Sequence, residues 1–380
     1  MPSPSTITDV QVATIQGQLP APVIFGDWIM KQREFAVVRI RTQDGHEGWA
    51  FTLTRDGAVA EQIRKIIAGV YAGTAIEDRT RTWRTAWRRS LASHCSGVGL
   101  RALSIVDLAA WDIAALMAGK SIATFLGGEE RPMPATAIIG YPPALIGPDE
   151  IAQQVRDLGV AGWRRFKAPI APTMELSAAR LRAARAAAPD AWLGCDGAWM
   201  FDAVAPALAF ARSITDVGLA WFEDVFPPGD ALQLAELRKA APMPIAMGDE
   251  QGGSYYPQAL IMAGAVDVVR IDLTCMGGIT GGRRIVDECL HSGTAFSAHM
   301  FAHVHSQVFS GWGFADCPIE WGVPWTGVDP YADSLAQPVL DGEGRMQPLS
   351  QGPGFGPMIN RDWARSQPHD DPDGILRDVR

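Results

Sequence analysis

Three acidic residues, Asp196, Glu223 and Glu250, recur at intervals of 27 residues, each shortly after a short apolar segment. If that interval is one structural repeat, their carboxylates converge at one place, where they would repel one another strongly without a cation. Oxygen ligands with open coordination positions suit a hard divalent ion such as Mg²⁺. The spacing therefore predicts a metal site, in which the adjacent Asp224 and Asp249 could exchange roles with their neighbours. A single acid at such a position would more often be a helix N-cap or a solvated loop residue.

A carboxylate and an imidazole continue the same spacing. Asp272 follows the next apolar segment, and His299 comes 27 residues later, so neighbouring repeats would place them side by side. A carboxylate beside an imidazole fixes its tautomer and raises its basicity, as a general base requires. The alternative is a histidine that is hydrogen-bonded to a backbone carbonyl. His303 and His305 are weaker candidates, because the pattern places them inside the following helix.

Lys167 and Glu320 stand at the ends of two further apolar segments. A lysine at such a position stabilises developing negative charge or forms a Schiff base, unless it is simply solvated at the surface. Glu320 would be the acid of the last repeat. The glycine-rich residues 277–282 open a helix but lack the lysine of a P-loop and the spacing of a dinucleotide fingerprint. We interpret them as a tight turn.

The elements that would position these side chains alternate between short apolar segments and amphipathic helices. The predicted strands are residues 135–141, 164–168, 192–195, 220–222, 245–247, 266–271, 295–297 and 318–319, and helices between them include 175–188, 203–213, 231–240, 258–263 and 280–289. This alternation is typical of parallel βαβ units. Eight strands fit a closed (β/α) barrel better than an open sheet, with seven or eight units, and the carboxyl ends of barrel strands form the catalytic face.

The first part of the chain has a different order, with strands before helices. Residues 35–41 and 47–54 predict a hairpin around Asp44-Gly45, and helical patterns follow at 59–70, 78–91 and 100–117. We therefore predict three segments. They are an N-terminal α+β domain at 1–128, the barrel at 129–340, and a Gly/Pro-rich tail at 341–380 that returns to the N-terminal domain.

Composition restricts the class of protein. The 380 residues are 47% hydrophobic and 20% charged, as in globular proteins, and the net charge of −9 argues against nucleic-acid binding. The five cysteines form no Cys-x-x-Cys pair, which argues against a disulfide framework. The N-terminal residues lack the features of a signal peptide, and no apolar window is long enough to span a membrane. We expect a cytoplasmic protein without membrane or nucleic-acid partners.

Taken together, these residues resemble the enolase superfamily, in its mandelate racemase subgroup, over essentially the whole chain. The resemblance is carried by residues 101–104, 110–112, 276–280 and 353–356, by the triad Asp196, Glu223 and Glu250, and by Asp272, His299 and Glu320. It implies an α/β fold in which an N-terminal capping domain covers a modified (β/α)7β TIM barrel. It implies one Mg²⁺ per active site, held by the triad, and a homo-oligomeric protein.

The resemblance also implies removal of the proton next to a substrate carboxylate. His299, paired with Asp272, would be the base, Lys167 would stabilise negative charge, and Glu320 would hydrogen-bond the substrate carboxylate. Many subgroup members carry Lys-x-Lys at the second barrel strand, whereas this chain has Lys167-Ala168-Pro169. The second base is therefore missing, which disfavours a racemase that uses two bases.

The Lys-x-Pro form, Trp199-Met200 and residues 226–228 look most like the rhamnonate dehydratase branch of acid-sugar dehydratases. Such an enzyme eliminates the β-hydroxyl after proton removal and yields a 2-keto-3-deoxy sugar acid. The alternatives are a one-base epimerase, racemase or cycloisomerase of the same superfamily, a Schiff-base aldolase that uses Lys167, or a scaffold that binds without catalysis. Specificity would come from cap segments near residues 22–30 and 51–56.

Overall fold

A computed structural model describes residues 5–25, 28–94, 96–249, 251 and 253–377. The strands are β1 (Ile7–Phe25), β2 (Trp28–Thr42), β3 (Glu47–Leu53), β4 (Met133–Ile138), β5 (Arg165–Pro169), β6 (Trp192–Asp196), β7 (Trp221–Glu223), β8 (Ile245–Met247), β9 (Val268–Ile271), β10 (Ala295–Ala298), β11 (Ile319–Gly322), β12 (Arg345–Met346) and β13 (His369–Asp370).

The helices alternate with the strands from β4 onward. They are α1 (Val59–Gln62), α2 (Ala68–Tyr71), α3 (Arg79–His94), α4 (Gly97–Met117), α5 (Ile122–Phe125), α6 (Pro148–Val160), α7 (Met174–Ala187), α8 (Val204–Ser213), α9 (Ala231–Ala240), α10 (Tyr255–Met262), α11 (Gly278–Ser292), α12 (Ala302–Gly311), α13 (Pro330–Asp333) and α14 (Arg361–Ser366). A π-helical turn (Ile63–Ile67) joins α1 to α2, so the single helix predicted at 59–70 is interrupted.

The N-terminal sheet is antiparallel, in the order β13-β1-β2-β3. The predicted hairpin is present, because β2 pairs with β3 and the turn between them places Gly45 at φ +87°. A positive φ is readily adopted by glycine, which has no Cβ to clash. The helix α4 lies against this sheet and is buried along most of its length, from Gly99 to Ala115. Apolar residues on nearly all sides of α4 fit a helix that is covered by the sheet and by the barrel.

The barrel strands follow the order β10-β9-β8-β7-β6-β5-β4-β11, and each hydrogen-bonded pair along this path is parallel. Between β10 and β11, the N–H of Ala298 donates to the carbonyl of Pro318 at 3.1 Å, so the barrel is nearly closed. Within the described residues, seven helices, α6 to α12, connect the eight strands. The predicted fold class, a (β/α)7β barrel with an N-terminal capping domain, is confirmed.

The helix α4 fastens the capping domain to the barrel through polar side chains. The N–H of Gly277 donates to Ser104 Oγ at 2.7 Å, and Thr280 donates to Asp107 through its N–H at 2.9 Å and its hydroxyl at 2.7 Å. Gly278, at φ +68°, passes so close to the Asp107 carboxylate that a Cβ would collide with it. The glycine-rich turn therefore serves close contact between α4 and the start of α11.

The tail contacts both sheets. Its strand β12 pairs with β4 of the barrel and β13 pairs with β1 of the capping domain, while Phe355 N donates to Asp112 of α4 at 2.8 Å. The division into 1–128, 129–340 and 341–380 stays a prediction. None of the helices in the described ranges has the length and hydropathy needed to cross a bilayer. The described cysteines, Cys195, Cys275, Cys289 and Cys317, are buried free thiols.

Candidate active site

The side chains singled out by their spacing lie at the carboxyl ends of consecutive barrel strands. Asp196 and Glu223 end β6 and β7 and are paired in register. Asp272 directly follows β9, and His299 directly follows β10. Glu250, the third predicted metal ligand, lies outside the described residues. Parallel strands present their carboxyl ends to one face, which is why a repeat of 27 residues brings distant positions together.

An acidic cluster forms around the end of β7. Oxygen atoms of Asp196, Glu223 and Asp224 lie within 4.8 Å of one another. Burial raises the pKa of Glu223 to about 7, against the opposing effect of Arg270 and Lys167. Burial, followed by the charge of Asp249, raises the pKa of Asp224 well above its usual value. These carboxylates are costly to ionise together, and a divalent cation between them would remove that cost.

The donor set fits Mg²⁺. It consists of carboxylate oxygens, which hard cations prefer, and Asp196 lines a cavity from which a substrate could reach the ion. Among the described residues at this rim, carboxylates outnumber the cations Lys167 and Arg270. A bound cation would therefore complete the charge balance of the site.

Lys167 lies in the middle of the carboxylates. Its Nζ is 2.6 Å from Glu223 Oε1, 2.7 Å from Glu320 Oε1 and 3.6 Å from Asp196 Oδ2. Burial lowers the pKa of Lys167, but these three carboxylates outweigh burial and hold the pKa well above its usual value. An amine nucleophile needs a lowered pKa. The geometry thus disfavours the Schiff-base alternative and keeps Lys167 as a fixed positive charge.

Arg270 is a site residue that the sequence reasoning missed. It lies within β9 and is fully buried, with its Nε 3.2 Å from Glu223 Oε2 and its guanidinium also paired with Glu320. It further donates to Ser297 Oγ at 2.8 Å and to the Ala298 carbonyl at 2.9 Å. The available signal was an arginine inside an otherwise apolar strand, since a buried charge needs a partner.

Glu320 is the acceptor in each of the hydrogen bonds that the structure shows for it. Lys167, Arg270 and the N–H of Met300 donate to its oxygens, the last at 3.2 Å. Burial raises its pKa, but Arg270 and Lys167 outweigh burial and lower the pKa to about 2. Glu320 is therefore an ionised acceptor that holds Lys167 and Arg270 in place. A hydrogen bond donated to a substrate carboxylate would require a proton that these cations disfavour.

The predicted dyad is assembled. His299 Nδ1 lies 3.3 Å from Asp272 Oδ2, and its Nε2 lies 3.8 Å from Asp249 Oδ2. The other oxygen of Asp272 accepts from the N–H and the hydroxyl of Thr274, both at 2.7 Å. Burial raises the pKa of Asp272, but its hydrogen bond with His299 and that imidazole's charge outweigh burial and lower it. An ionised Asp272 holds the proton of His299 on Nδ1 and makes Nε2 the basic nitrogen.

The two other histidines of this region have structural partners. Both lie in α12, as predicted. His305 Nε2 accepts from the N–H of Leu273 at 2.9 Å and its Nδ1 lies 2.7 Å from the Met300 carbonyl, which fixes one neutral tautomer. Burial lowers the pKa of His303 to about 4, and its Nε2 contacts the Ala336 carbonyl at 2.9 Å. His305 thus braces the loop after β9, on which Asp272 lies.

A cavity that is open to solvent lies between the capping domain and the barrel rim. Its barrel side includes Lys167, Asp196, Asp224 and His299. Three further members of the site do not line the cavity and are buried: Glu223, Asp272 and Glu320. Its cap side includes Met30, Arg33 and Arg55. The rim and the cap thus enclose one space in which a small carboxylate could meet the acidic cluster and the base.

The chain is similar to known families and proteins over most of its length. Residues 7–127 match the N-terminal domain of the mandelate racemase / muconate lactonizing enzyme family, and residues 150–363 match the enolase C-terminal domain-like family. The chain is 24% identical to D-galactarolactone cycloisomerase of Agrobacterium fabrum over 94% of this chain and 97% of that one. It is 26% identical to L-rhamnonate dehydratase of Saccharopolyspora erythraea over 88% and 85%.

Solved structures share the fold. An L-talarate dehydratase from Polaromonas sp. JS666, crystallised with Mg and L-glucarate, superposes with a TM-score of 0.82 at 21% identity, over 96% of this chain and 99% of that one. That neighbour binds magnesium, and the acidic cluster of this chain offers carboxylate oxygens that could hold the predicted Mg²⁺. The two family matches together cover most of the chain, and so this protein belongs to the enolase superfamily, in its mandelate racemase and muconate lactonizing enzyme branch.

Proposed function

We propose that this protein is a Mg²⁺-dependent acid-sugar dehydratase. It would remove the proton at C2 of a sugar acid, eliminate the hydroxyl at C3 and release a 2-keto-3-deoxy sugar acid. The observation that carries the proposal is the single imidazole base beside the acidic cluster. Lys167 is held by three carboxylates, and Pro169 occupies the position of a second lysine base.

Asp196, Glu223 and Glu250 are the proposed metal ligands. Asp224 lies in the same cluster and Asp249 is near it, so either could take part in binding the ion. A bound Mg²⁺ would polarise the substrate carboxylate and so acidify the C2–H bond. The side chains around the metal ligands would then remove the proton at C2 and help the hydroxyl at C3 to leave.

His299 would act twice. Its Nε2 first accepts the C2 proton, while Asp272 holds the opposite nitrogen and stabilises the imidazolium. The electron pair of the C2–H bond then forms the C2–C3 double bond as the C3–O bond breaks. The leaving hydroxide takes the proton from His299 and departs as water. The resulting enol tautomerises to the ketone, so the step needs no other reactant.

Lys167 would stabilise the negative charge that develops on the substrate carboxylate as the proton leaves. Glu320 and Arg270 would position it. Glu320 binds Lys167 at 2.7 Å and is itself held by Arg270. Fixed charges of this kind need little rearrangement during the reaction, which is the basis of electrostatic catalysis.

The second candidate is a one-base epimerase or racemase, or a cycloisomerase, of the same superfamily. The same single base favours it, and one relative is named as a cycloisomerase. The two candidates differ in product, because elimination releases water and isomerisation does not. We also propose, from the scattered cysteines, that the protein is cytoplasmic and, from the family resemblance, that it is a homo-oligomer. Native mass by light scattering would test the second point.

The test is a screen of mono- and diacid sugars with Mg²⁺ for 2-keto acid product. We expect at least one sugar acid to lose one water per turnover, EDTA to abolish the activity, and Mg²⁺ to restore it. An isomeric product without loss of water would support the second candidate instead. Borohydride trapping of a Lys167 adduct, with activity that survives EDTA, would contradict both.

A further inference from the structure

Two arginines of the capping domain line the same cavity as the acidic cluster. Arg33 lies in β2 and is buried, and Arg55 follows β3 and is partly buried. Both line the cavity that also contains Lys167, Asp196 and His299. A cavity lined by a metal-binding cluster of the barrel and by two guanidinium groups of the capping domain is suited to a ligand that carries two anionic groups.

The end of the β2–β3 pair brings the two arginines to the same cavity. The backbone ladder between β2 and β3 ends with the N–H of Thr54 donating to the carbonyl of Glu34 at 2.9 Å. Arg33 and Arg55 are the neighbours of these two residues, and Arg55 lies in the turn that follows β3, at φ +53°. Two cations that line one cavity repel each other, and an anion bound between them relieves that repulsion.

The charges of both arginines affect the pKa of the buried carboxylate Asp329. Burial raises the pKa of Asp329, whereas Arg33 and Arg55 both lower it, so this carboxylate lies within their electrostatic reach. Its Oδ1 also accepts from the N–H of Ala332 at 3.1 Å. Each guanidinium has five N–H donors, so an arginine that binds a protein acceptor retains donors for a ligand.

Tyr141 is buried and lines the same cavity as the two arginines and Asp196. Burial and, to a smaller extent, the charge of Asp196 raise its pKa to about 12, against the opposing effect of Arg33, Lys167 and Arg55. The cavity therefore places a phenol, the two arginines and a carboxylate of the acidic cluster around one space.

We propose that Arg33 and Arg55 bind a second anionic group of the substrate, at the end remote from the metal, so that the substrate is a doubly anionic sugar acid. This inference rests on the proposed function and names its substrate class. A terminal carboxylate and a terminal phosphate share the required chemistry. A planar carboxylate matches the fork of a guanidinium in two parallel hydrogen bonds.

The first experiment compares hexaric diacids, 6-phosphohexonic acids and hexonic acids of matched configuration. We expect kcat/KM for one doubly anionic class to exceed that for the hexonic acid by about 10- to 100-fold, the range for a hydrogen bond to a charged group. Which class is preferred identifies the anion. If the hexonic acids are dehydrated with the same kcat/KM as both doubly anionic classes, the inference is overturned and the proposed function stands.

The second experiment uses Arg33→Gln and Arg55→Gln, with Arg182→Gln as the matched control. Arg182 is an exposed arginine that pairs with Asp216. We expect either cap variant to lower the preference for the doubly anionic substrate about 10- to 100-fold, mainly through KM, and Arg33→Lys to restore part of it. An unchanged preference in both folded Gln variants would overturn the inference.

A binding measurement separates this inference from the proposed reaction. Adipate and hexanoate have the same chain length but differ by one carboxylate, and calorimetry with Mg²⁺ present measures both without turnover. We expect adipate to bind about 10-fold tighter or more, and this difference to shrink in Arg33→Gln. If no sugar acid is dehydrated but this difference is found, the proposed function fails and the anion site stands. Equal binding of the two acids by the wild-type protein overturns the site even if the variants do not fold.

Discussion

At the level of single residues, two buried cations hold the carboxylates of the site. Lys167 contacts Asp196, Glu223 and Glu320, and Arg270 contacts the last two of these. A buried charge that loses its partner is more costly than an exposed one, because water cannot replace the lost interaction. The cations therefore stabilise the rim and fix the positions of the groups that act on a substrate.

Replacement of Arg270 tests this arrangement. We expect Arg270→Met to lower the free energy of unfolding by about 3 to 5 kcal/mol, because it leaves the buried carboxylates of Glu223 and Glu320 with less compensation. The control is Arg81→Met, which removes an exposed pair with Asp78 at the start of α3 and should cost less than about 1 kcal/mol. Urea unfolding measures both. Equal costs would show that the burial of Arg270 has no special effect.

Metal binding tests the acidic cluster. We expect Mg²⁺ to raise the thermal unfolding midpoint of the wild-type protein, because an ion that binds only the folded state stabilises it, by about 2.7 kcal/mol at 100 times Kd. Glu223→Gln should lose most of this stabilisation, while Glu236→Gln, an exposed position on α9, should keep it. A Mg²⁺-dependent shift that survives in Glu223→Gln would exclude Glu223 as a ligand.

At the level of elements, the loop after β9 connects the base to the capping domain. Thr274 donates to Asp272, and its hydroxyl also contacts Thr52 of β3 at 2.9 Å. Arg101 of α4 in turn donates to the Thr52 hydroxyl at 3.2 Å. The orientation of the Asp272 carboxylate is thus coupled to how α4 and β3 lie on the barrel.

We expect Thr274→Val to lower kcat by about 10-fold or more. The change keeps the shape and the backbone donor but removes a hydroxyl hydrogen bond to an ionised Asp272, an interaction of about 1.5 to 3 kcal/mol. KM should change much less, because Thr274 is a positioning residue. Thr274→Ser keeps the hydroxyl and should retain most of the activity. If Ser and Val variants are equally impaired, packing of the methyl group and not the hydrogen bond is responsible.

The contact between α4 and α11 gives a pH dependence of stability. Burial raises the pKa of Asp107 from 3.8 to about 7, against the hydrogen bonds from Thr280. Between these pH values the folded state binds more protons than the unfolded state, so this group's contribution falls as pH rises from about 4 to about 7. The full change is roughly 4 kcal/mol.

The matched variant is Asp107→Asn, which keeps the shape and an acceptor for the Thr280 N–H but does not ionise. We expect the free energy of unfolding, measured by urea at several pH values, to fall less steeply between pH 4 and 7 in the variant than in the wild-type protein. Parallel pH profiles would mean that Asp107 is ionised in the folded protein over this range.

At the level of the whole molecule, one repeat length determines much of the site. The repeat of 27 residues follows from one helix and one strand per unit, so periodicity in the sequence was enough to predict the barrel and the side chains at its rim. Asp272 and His299 were predicted as neighbours on this basis and lie 3.3 Å apart. The features that could be predicted are those that follow from the alternation of strands and helices along the chain.

Contacts between remote elements could not be predicted in this way. Arg270 lies inside a strand, where its partners come from β7 and β11. That Arg33 and Arg55 line one cavity depends on how the capping domain meets the barrel. The polar residues of α4 contributed to the family resemblance, but the sequence did not show what they contact. The coordinates show that Gly278 and Phe355 approach them closely.

Solvent exchange at C2 tests the proposed chemistry most directly. A sugar acid that the protein turns over is incubated with Mg²⁺ in deuterated water, and proton NMR follows C2 of the substrate and C3 of the product. The wild-type protein should yield a 2-keto-3-deoxy acid that carries solvent deuterium at C3, and His299→Asn should abolish both C2 exchange and loss of water. Exchange at C2 that persists in folded His299→Asn would contradict the assignment of His299 as the base.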